Sequence, residues 1–153
     1  MSFKLVAKDF GEGQAIPTPF SCEGSDLSPA LSWSDPPSGT REFALIMDDP
    51  DAPMGTWVHW VLYNVPADRK ALPEGLAKQD QVPGIGTHGK NSWGKNSYGG
   101  PCPPPGKTHR YFFKLYALSK PLSLPAGVSK EALLRAMQGV ILGEAQVMGT
   151  FVR

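Results

Sequence analysis

The stretch Trp57-Val-His-Trp-Val-Leu-Tyr-Asn-Val65 is apolar almost throughout, and aromatic and β-branched side chains dominate it. Residues 42–47 and residues 110–118 have the same character, and turn residues bound the segments. Continuous apolar runs of this length are typical of strands that are buried on both faces, and they are short for helices. We therefore predict that these segments are the central strands of one sheet.

Weaker patterns predict further strands. Residues 1–7 alternate weakly and indicate a first strand, and Leu31 and Trp33 indicate a short second one. Residues 148–153 indicate a last short strand. Residues 67–108 form a long irregular segment, and such a segment inside a compact domain is usually functional or conceals a short strand.

One helix is predicted near the end of the chain. Ser129 is a suitable N-cap for it. Gly139 is expected to kink the helix or to divide it in two, and residues 142–146 are expected to continue it. The apolar stripe that predicts the helix consists of Leu133, Met137, Val140 and Ile141.

Composition predicts the class of protein. The 153 residues are 41% hydrophobic and 19% charged, which indicates one globular domain over residues 1–153. The 17 Gly and 16 Pro residues are spread along the chain and predict many turns between short strands, hence a mainly β fold. With 15 Lys and Arg against 14 Asp and Glu, the formal charge of +1 gives no field that would recruit nucleic acid or an anionic membrane.

The sequence also favours a location. The first ten residues contain no apolar signal-peptide core, and no apolar run approaches the length of a membrane span. A cytoplasmic protein without stable membrane insertion is therefore expected. Cys22 and Cys102 are too few for a disulfide framework and are interpreted as two ordinary thiols. The alternative is a redox pair near the mouth of the site described next.

An acidic turn, Asp48-Asp49-Pro-Asp-Ala-Pro53, follows directly on the first central strand. Asp48 and Asp51 are interpreted as solvated turn residues whose side chains bond the local backbone. Asp49 is interpreted differently, because its position at the strand end would let its carboxylate enter a cavity.

Two histidines lie in or beside the other central strands. His59 stands between Val58 and Trp60, where a core histidine with satisfied hydrogen bonds is the plainer interpretation. His109 begins the third strand, and Tyr111 two residues later faces the same side of it. Each residue alone is unremarkable, but their order along neighbouring strands is informative.

Taken together, these residues predict one small anion-binding pocket. The carboxylate of Asp49, the two imidazoles and the Tyr111 phenol stand on neighbouring strands, and the Pro-rich turn at residues 101–106 would bring its backbone over them. Imidazoles near neutral pH can donate hydrogen bonds to phosphate or carboxylate oxygens. His88 lies in a Gly-rich run and is expected to be exposed.

A set of short motifs identifies a resemblance that covers nearly the whole chain. The motifs are, in order, Ser28-Pro-Ala-Leu-Ser-Trp33, Asp49-Pro-Asp-Ala-Pro53, Trp57-Val-His-Trp60, Tyr98-Gly-Gly-Pro-Cys-Pro-Pro104, His109-Arg-Tyr111 and Gly149-Thr-Phe151. With these motifs the chain resembles the phosphatidylethanolamine-binding protein (PEBP) family, and most closely its compact bacterial members.

The resemblance implies a mainly β fold of two antiparallel sheets with a few short helices, one of them near the C-terminus. It makes the Ala52–Pro53 bond a candidate for the cis form. The interval between Pro53 and His59 is short compared with the larger eukaryotic members, and a C-terminal helical extension is not evident, which weakens any transfer of their kinase partners. The implied pocket holds phosphate, phosphorylethanolamine or a similar anion and is lined by Asp49, His59, Gly100, Pro103, Pro104, His109 and Tyr111.

The favoured function is therefore a regulatory binding protein for a small anion, without turnover and without a cofactor, because the motifs contain no evident nucleophile. One alternative is an inhibitor of a kinase or protease that docks a protein partner at the pocket mouth. The other is an enzyme, a hydrolase or metal-dependent, that uses Asp49, His59 and His109 as an acid–base set or as a two-His, one-carboxylate metal site. A homodimer is left open.

Overall fold

Two antiparallel sheets form the framework of the protein in a computed structural model, which describes residues 2–153. The smaller sheet runs in the order β1 (Lys4–Ala7), β2 (Leu31–Ser34) and β5 (Ala71–Leu72). The described residues also contain a 3-10 turn, Thr18–Phe20, and one α-helix, α1 (Lys130–Met137). The larger sheet runs in the order β6 (Gln81–Val82), β7 (Gly86–His88), β4 (Trp57–Pro66), β3 (Glu42–Asp49), β8 (His109–Leu118) and β9 (Ile141–Phe151).

The mainly β architecture and the helix near the C-terminus are thus confirmed. The three predicted central segments are β4, β3 and β8, which are neighbours in the larger sheet. The strand predicted over residues 1–7 corresponds to β1, with Met1 lying outside the described residues. The long segment at residues 67–108 conceals the three short strands β5, β6 and β7.

Strand β3 is the centre of the molecule, and all of its residues are buried. Phe43, Leu45 and Met47 point into the core between the two sheets, where Trp33 of β2 also packs. The alternate residues Ala44 and Ile46 belong to a second core cluster, beneath α1. A strand that buries both faces needs a continuous apolar sequence, and residues 43–47 provide one.

Helix α1 begins as predicted but ends earlier. The Ser129 hydroxyl accepts a hydrogen bond from the Ala132 N–H at 3.1 Å, which caps the first turn. Leu133 and Met137 are fully buried, and the helix stops at Met137 because Gly139 adopts a φ of 79°.

The expected helical continuation over residues 142–146 is wrong. From Ile141 onward the chain is β9, which pairs antiparallel with β8 along its whole length. Ile141 and Leu142 are 40% and 42% exposed, so they do not extend the buried stripe of the helix. Pairing with β8 gives the backbone N–H and C=O groups of this segment their hydrogen-bond partners, and this tertiary pairing overrides the local helical propensity.

The interpretation of Cys22 and Cys102 as ordinary thiols is also wrong. The two residues form a disulfide, and their Cα atoms lie 5.4 Å apart. The fold brings the segments together, since the Cys22 N–H donates to the Pro101 carbonyl at 3.1 Å. The cysteines are 80 residues apart in sequence, so their proximity arises only from tertiary structure.

The Ala52–Pro53 bond, a candidate for the cis form, is trans, as are the other peptide bonds of residues 2–153. The Gly55 N–H donates to the Ala52 carbonyl at 3.1 Å, which places Pro53 at the second position of a four-residue turn. A trans proline is favoured at that position, whereas a cis proline belongs at the third.

His88 is buried, 1% exposed, and so the expectation of an exposed residue is wrong. Its Nδ1–H donates to the Gln79 carbonyl at 2.8 Å, and its Nε2 accepts from the Trp60 indole N–H at 3.0 Å. This arrangement requires the neutral ring, and burial lowers the pKa of His88. The Gly-rich run places the ring in the core because β7 pairs with β4 there.

We predict that His88 makes the protein less stable in acid. Because its pKa is lower in the folded state than the ordinary value of about 6.5, the unfolded chain binds the proton more tightly, and stability is lost as pH falls below that value. His59, whose pKa burial also lowers, adds to the effect. Urea midpoints measured between pH 7 and 5.5 should fall with pH, and His88→Gln should reduce the slope.

The matched variant His88→Ala should lower the free energy of unfolding at pH 7 by about 1–3 kcal/mol or more, because it leaves the Trp60 N–H without an acceptor. Gln retains one acceptor and one donor but does not titrate. An unchanged slope in His88→Gln would contradict this role for His88.

Candidate functional site

The predicted site residues converge at one end of the central strands of the larger sheet. Because β3 is antiparallel to both of its neighbours, its last residue, Asp49, lies beside Trp57 at the start of β4 and near the start of β8. A cavity of about 280 Å³ opens there. It is lined by Asp49, Ala52, Pro53, Met54, Trp57, His59, Trp93, Cys102, Pro103, Pro104, His109 and Tyr111.

Asp49 and His109 form a buried pair at the floor of this cavity. The His109 Nδ1 lies 2.7 Å from Asp49 Oδ2, and the side chains are only 3% and 4% exposed. Asp49 Oδ1 accepts a further hydrogen bond from the Asp51 N–H at 2.7 Å. Since an ionised carboxylate can only accept, His109 Nδ1 carries the proton, and its Nε2 is left for the cavity with no partner among residues 2–153.

His59 is held in the same way by a backbone carbonyl. Its Nδ1 lies 2.7 Å from the Gly99 oxygen, so Nδ1 donates and Nε2 is the free nitrogen. The ring packs edge-to-face against Trp93 and Tyr111, at centroid distances of 5.0 and 5.1 Å. Burial lowers the pKa of His59, so the neutral ring with an Nε2 lone pair predominates near pH 7.

A β-bulge orients His59. The register of β4 against β3 passes from Trp60↔Met47 directly to Val58↔Asp48, which leaves His59 without a partner. A bulge of this kind places two successive side chains on the same side of a sheet. Val58 belongs to the cluster beneath α1, whereas Trp60 packs between the sheets, and His59 points to the cavity side with it.

Tyr111 contributes an unbonded donor. The residue is fully buried, and its hydroxyl has no hydrogen-bond partner in the described part of the chain. Burial raises the pKa of Tyr111, and the Asp49 carboxylate, a nearby charge and acceptor that lies beyond normal hydrogen-bond distance, raises it further. The phenol therefore keeps its proton. Buried polar groups are nearly always hydrogen-bonded, so an orphaned hydroxyl in a cavity wall indicates a ligand site.

The rim of the cavity is apolar. Met54 and Trp93 are 96% and 43% exposed, and Trp57 packs edge-to-face on Trp93 at 5.6 Å. Pro103 and Pro104 complete the wall opposite. The cavity thus combines a polar floor with an apolar mouth. Sequence reasoning missed this rim; Trp57 could have been found, because it lies two residues before His59 on the same strand face, whereas Trp93 gave no comparable signal.

Gly100 is the predicted site residue that the structure places outside this cavity. It lines a neighbouring cavity instead, and its N–H donates to Asp26 at 2.9 Å. A Cβ at this position would lie 2.1 Å from the Phe20 carbonyl oxygen, so only glycine fits. Gly100 therefore shapes the loop that presents the Gly99 carbonyl to His59.

The two other aspartates of the acidic turn are bound by cations. Asp48 is buried and lies 2.7 Å from Lys130 Nζ at the start of α1, so its interpretation as a solvated residue is wrong. Asp51 accepts two hydrogen bonds from the Arg110 guanidinium and one from the Arg110 N–H, each at 2.9 Å. The Arg110 side chain lowers the pKa of Asp51 to about 2. Asp51 thereby fastens the acidic turn to β8.

The proposed two-His, one-carboxylate set does not form a group suited to a metal ion. Residues 2–153 contain no cluster of three or more His, Cys, Asp or Glu side chains that could hold one. The Asp49 oxygens are instead bonded to His109 and to the Asp51 backbone.

Comparison with known proteins identifies the family. The family model for phosphatidylethanolamine-binding proteins matches residues 6–152. The chain belongs to the PEBP family. A UPF0098 protein of Aquifex aeolicus is 45% identical over 152 residues, covering 98% of this chain and 88% of that protein.

Solved PEBP structures share the fold. A PEBP homologue of Chlamydia trachomatis is 40% identical, with a TM-score of 0.91 and coverage of 99% of this chain and 98% of that one. YbcL of Escherichia coli, described as a member of the mammalian PEBP family, is 30% identical, with a TM-score of 0.92 and coverage of 100% and 99%. These likenesses cover the whole two-sheet framework.

One relative bears on the location of this PEBP. The single helix among residues 2–153 is too short and too polar to cross a bilayer. A relative from Mycobacterium tuberculosis, 40% identical over 148 residues, bears the name of a candidate lipoprotein, LppC. The cytoplasmic location therefore stays a prediction.

We predict that Tyr111→Phe leaves the folded protein as stable as the wild type, within about 0.5 kcal/mol, because the hydroxyl has no protein partner to lose. The matched variant is Tyr98→Phe, which removes a hydroxyl that donates to the Phe20 carbonyl at 2.6 Å. That variant should lose about 1 kcal/mol. Urea denaturation measures both values, and an equal loss in the two variants would contradict the assignment of Tyr111 as an unbonded donor.

Proposed function

We propose that the protein reversibly binds a small ligand with a phosphate or similar anionic group in this cavity, without turnover. The observation that carries the proposal is the orientation of two imidazoles. Protein acceptors hold both Nδ1–H groups, so the Nε2 atoms of His59 and His109 are left for one cavity, beside the orphaned Tyr111 hydroxyl. Three groups that can bond an anion thus line one small space.

Protonation is part of this binding. A neutral imidazole that donates through Nδ1 offers only a lone pair at Nε2, and a lone pair repels an anionic oxygen. The hydrogen bond forms if the ligand brings a proton or if the imidazole takes one up. Asp49, at 2.7 Å, stabilises the imidazolium of His109 when that happens. The pocket therefore binds an anion together with a proton.

The apolar rim favours an ester over the free ion. The cavity of about 280 Å³ is at the small end for ligand sites and suits one charged group with its first few carbons. Met54 and Trp93 at the mouth would contact those carbons and bury apolar surface. We expect phosphorylethanolamine or a short alkyl phosphate to bind more tightly than inorganic phosphate.

Catalysis is the second candidate, and the Asp49–His109 pair is the observation that favours it. A carboxylate that orients an imidazole is the arrangement of a general base. The cavity supplies no activated nucleophile, because Cys102 is in the disulfide and Tyr111 holds its proton. Turnover of a phosphoester panel that His109→Gln abolishes would establish this alternative over simple binding. The inhibitor alternative and the homodimer stay predictions.

Affinity should fall as pH rises, which calorimetry can measure between pH 5.5 and 8. Sulfate brings no proton in this range, so its binding depends on protonating an imidazole and should weaken by up to about tenfold per pH unit above the imidazole pKa. A phosphate monoester has a second pKa near 6 and can bring its own proton, so its affinity should begin to fall at a higher pH. Equal, flat profiles for the two anions would contradict proton-linked binding.

Substitutions of the residues at the cavity floor should show how much each one contributes to ligand affinity. His109→Gln should weaken phosphorylethanolamine binding by roughly 10- to 100-fold, which corresponds to the loss of one charge-assisted hydrogen bond. Tyr111→Phe should weaken it by roughly threefold to tenfold, as for a neutral hydrogen bond. Tyr98→Phe is the control, since its hydroxyl is bonded to Phe20 outside this cavity. Unchanged affinity in His109→Gln would overturn the proposed site.

A further inference from the structure

The Cys22–Cys102 disulfide lies at the rim of the candidate pocket. Cys102 lines this cavity and also a second one, of about 250 Å³, that Cys22 helps to line. Both cysteine residues are exposed. A thiol from solution can therefore approach the bond without unfolding of the protein, which a buried structural disulfide would not allow.

The disulfide holds a part of the pocket wall that has few other attachments. Before Cys102 the turn is anchored by the Gly99 carbonyl on His59 and by the Pro101 carbonyl on Cys22. After Cys102, the hydrogen bonds of the described residues attach residues 103–106 only to Arg153. The Arg153 guanidinium donates to the Pro103 carbonyl at 3.3 Å, and the Arg153 main-chain carbonyl accepts from the Gly106 N–H at 3.1 Å. Reduction would therefore loosen residues 103–106 and leave residues 98–101 in place.

The two sulfurs have different surroundings. The Arg153 guanidinium lies 3.8 Å from Cys102 Sγ and 3.4 Å from the Glu23 carboxylate. A neighbouring cation stabilises a thiolate, so Cys102 is the better leaving group. Cys22 is followed directly by the acidic Glu23. An attacking thiolate is therefore expected to bond to Cys22 and to release Cys102.

We propose that Cys22–Cys102 is a thiol–disulfide exchange site, at which a dithiol reductant attacks Cys22 and releases Cys102 into the pocket rim. The attack of the first thiolate forms a bond to Cys22 Sγ and breaks the Cys22–Cys102 bond, whose electron pair leaves on Cys102 beside Arg153. The second thiol of the reductant then loses its proton and attacks its own partner sulfur. That step closes the reductant's disulfide, and Cys22 leaves as a thiolate that takes up a proton.

Overall the dithiol loses two electrons and two protons, and the protein disulfide gains them. The consequence for ligand binding rests on the proposed function of the pocket. Because Pro103 and Pro104 form one wall of the cavity, loosening residues 103–106 removes part of the pre-formed site. The reduced protein should therefore bind a phosphate ester less tightly than the oxidised protein.

The exchange chemistry can be tested without any ligand. The full chain is incubated in native buffer at pH 7 with dithiothreitol, quenched with iodoacetamide and analysed by mass spectrometry. Native protein should be reduced at a rate within roughly tenfold of the urea-unfolded protein, because access limits the reaction little. Arg153→Gln should slow reduction by roughly threefold. The control Lys107→Gln, which removes an exposed cation directly after the Pro-rich turn at residues 101–106, should not slow it.

The direction of attack has its own measurement. With the monothiol glutathione, the mixed disulfide should be on Cys22 and the iodoacetamide label on Cys102. A glutathione adduct on Cys102 would overturn the assigned direction, and reduction that occurs only after unfolding would overturn the exchange site. An Arg153→Gln rate equal to that of the wild type would overturn the role of Arg153 as the group that stabilises the leaving thiolate.

A second experiment links exchange to the pocket. Amide hydrogen exchange of Gly106, the residue of 103–106 that has an amide N–H, should speed up on reduction, while that of Tyr98, Gly99 and Gly100 should not. Titration with phosphorylethanolamine should show roughly threefold to tenfold weaker binding to the reduced protein and to the Cys22→Ser/Cys102→Ser variant, with recovery on reoxidation only for the wild type. Equal affinity of the oxidised and reduced forms would overturn the coupling. Absence of binding to the oxidised form would instead count against the proposed function. The reduction rates would still decide whether Cys22–Cys102 is a thiol–disulfide exchange site.

Discussion

A carboxylate buried at the end of a doubly buried strand is the constraint on which the site depends. Strand β3 has no exposed residue, and the Asp49 side chain at its end is 4% exposed. An ionised carboxylate in such surroundings is tolerated only with close, well-aligned partners. The antiparallel neighbour β8 begins at this edge and supplies His109, while the acidic turn supplies the Asp51 N–H. The pocket thus forms where the fold must compensate one buried charge.

The three carboxylates of the acidic turn have basic partners of different kinds. Strand alternation sends Asp48 toward α1 and Lys130, where the pair joins the helix to the sheet. Asp51 pairs with Arg110 and fixes the turn on β8. These partners keep their charge over the whole physiological range. The partner of Asp49 is the imidazole of His109, which lines the cavity. Of the three pairs, this one alone can exchange a proton with a bound ligand.

Much of the fold could be predicted from sequence because the central strands have continuous apolar runs. Of the polar residues of the pocket floor, His59 interrupts one run, Asp49 follows another and His109 directly precedes the third. Most of what failed depended on contacts distant in sequence. Residues 141–146 carry a local pattern that also fits a helix, but pairing with β8 decides their conformation. The disulfide joins residues 80 apart, and the bulge at His59 is visible only against the register of β3. The motif resemblance added Pro103 and Pro104, whose side chains give no chemical signal of their own.

The pocket floor contains imidazoles rather than guanidinium groups, and this difference determines its charge. An arginine at the floor would pair permanently with Asp49 and would carry its charge whether or not a ligand is present. His59 and His109 with Nδ1 bonded to the protein are neutral acceptors when unprotonated and become donors only when a proton arrives. With both rings neutral the floor holds no unpaired buried cation, and in the proposed function the entering anion would offset the cost of charging a ring. In the proposed function, loss of that proton would restore the lone pairs, which repel an anion, and would favour release of the ligand. Reversible capture suits a binding protein better than permanent retention, and the neutral, protein-bonded imidazoles give it a physical basis.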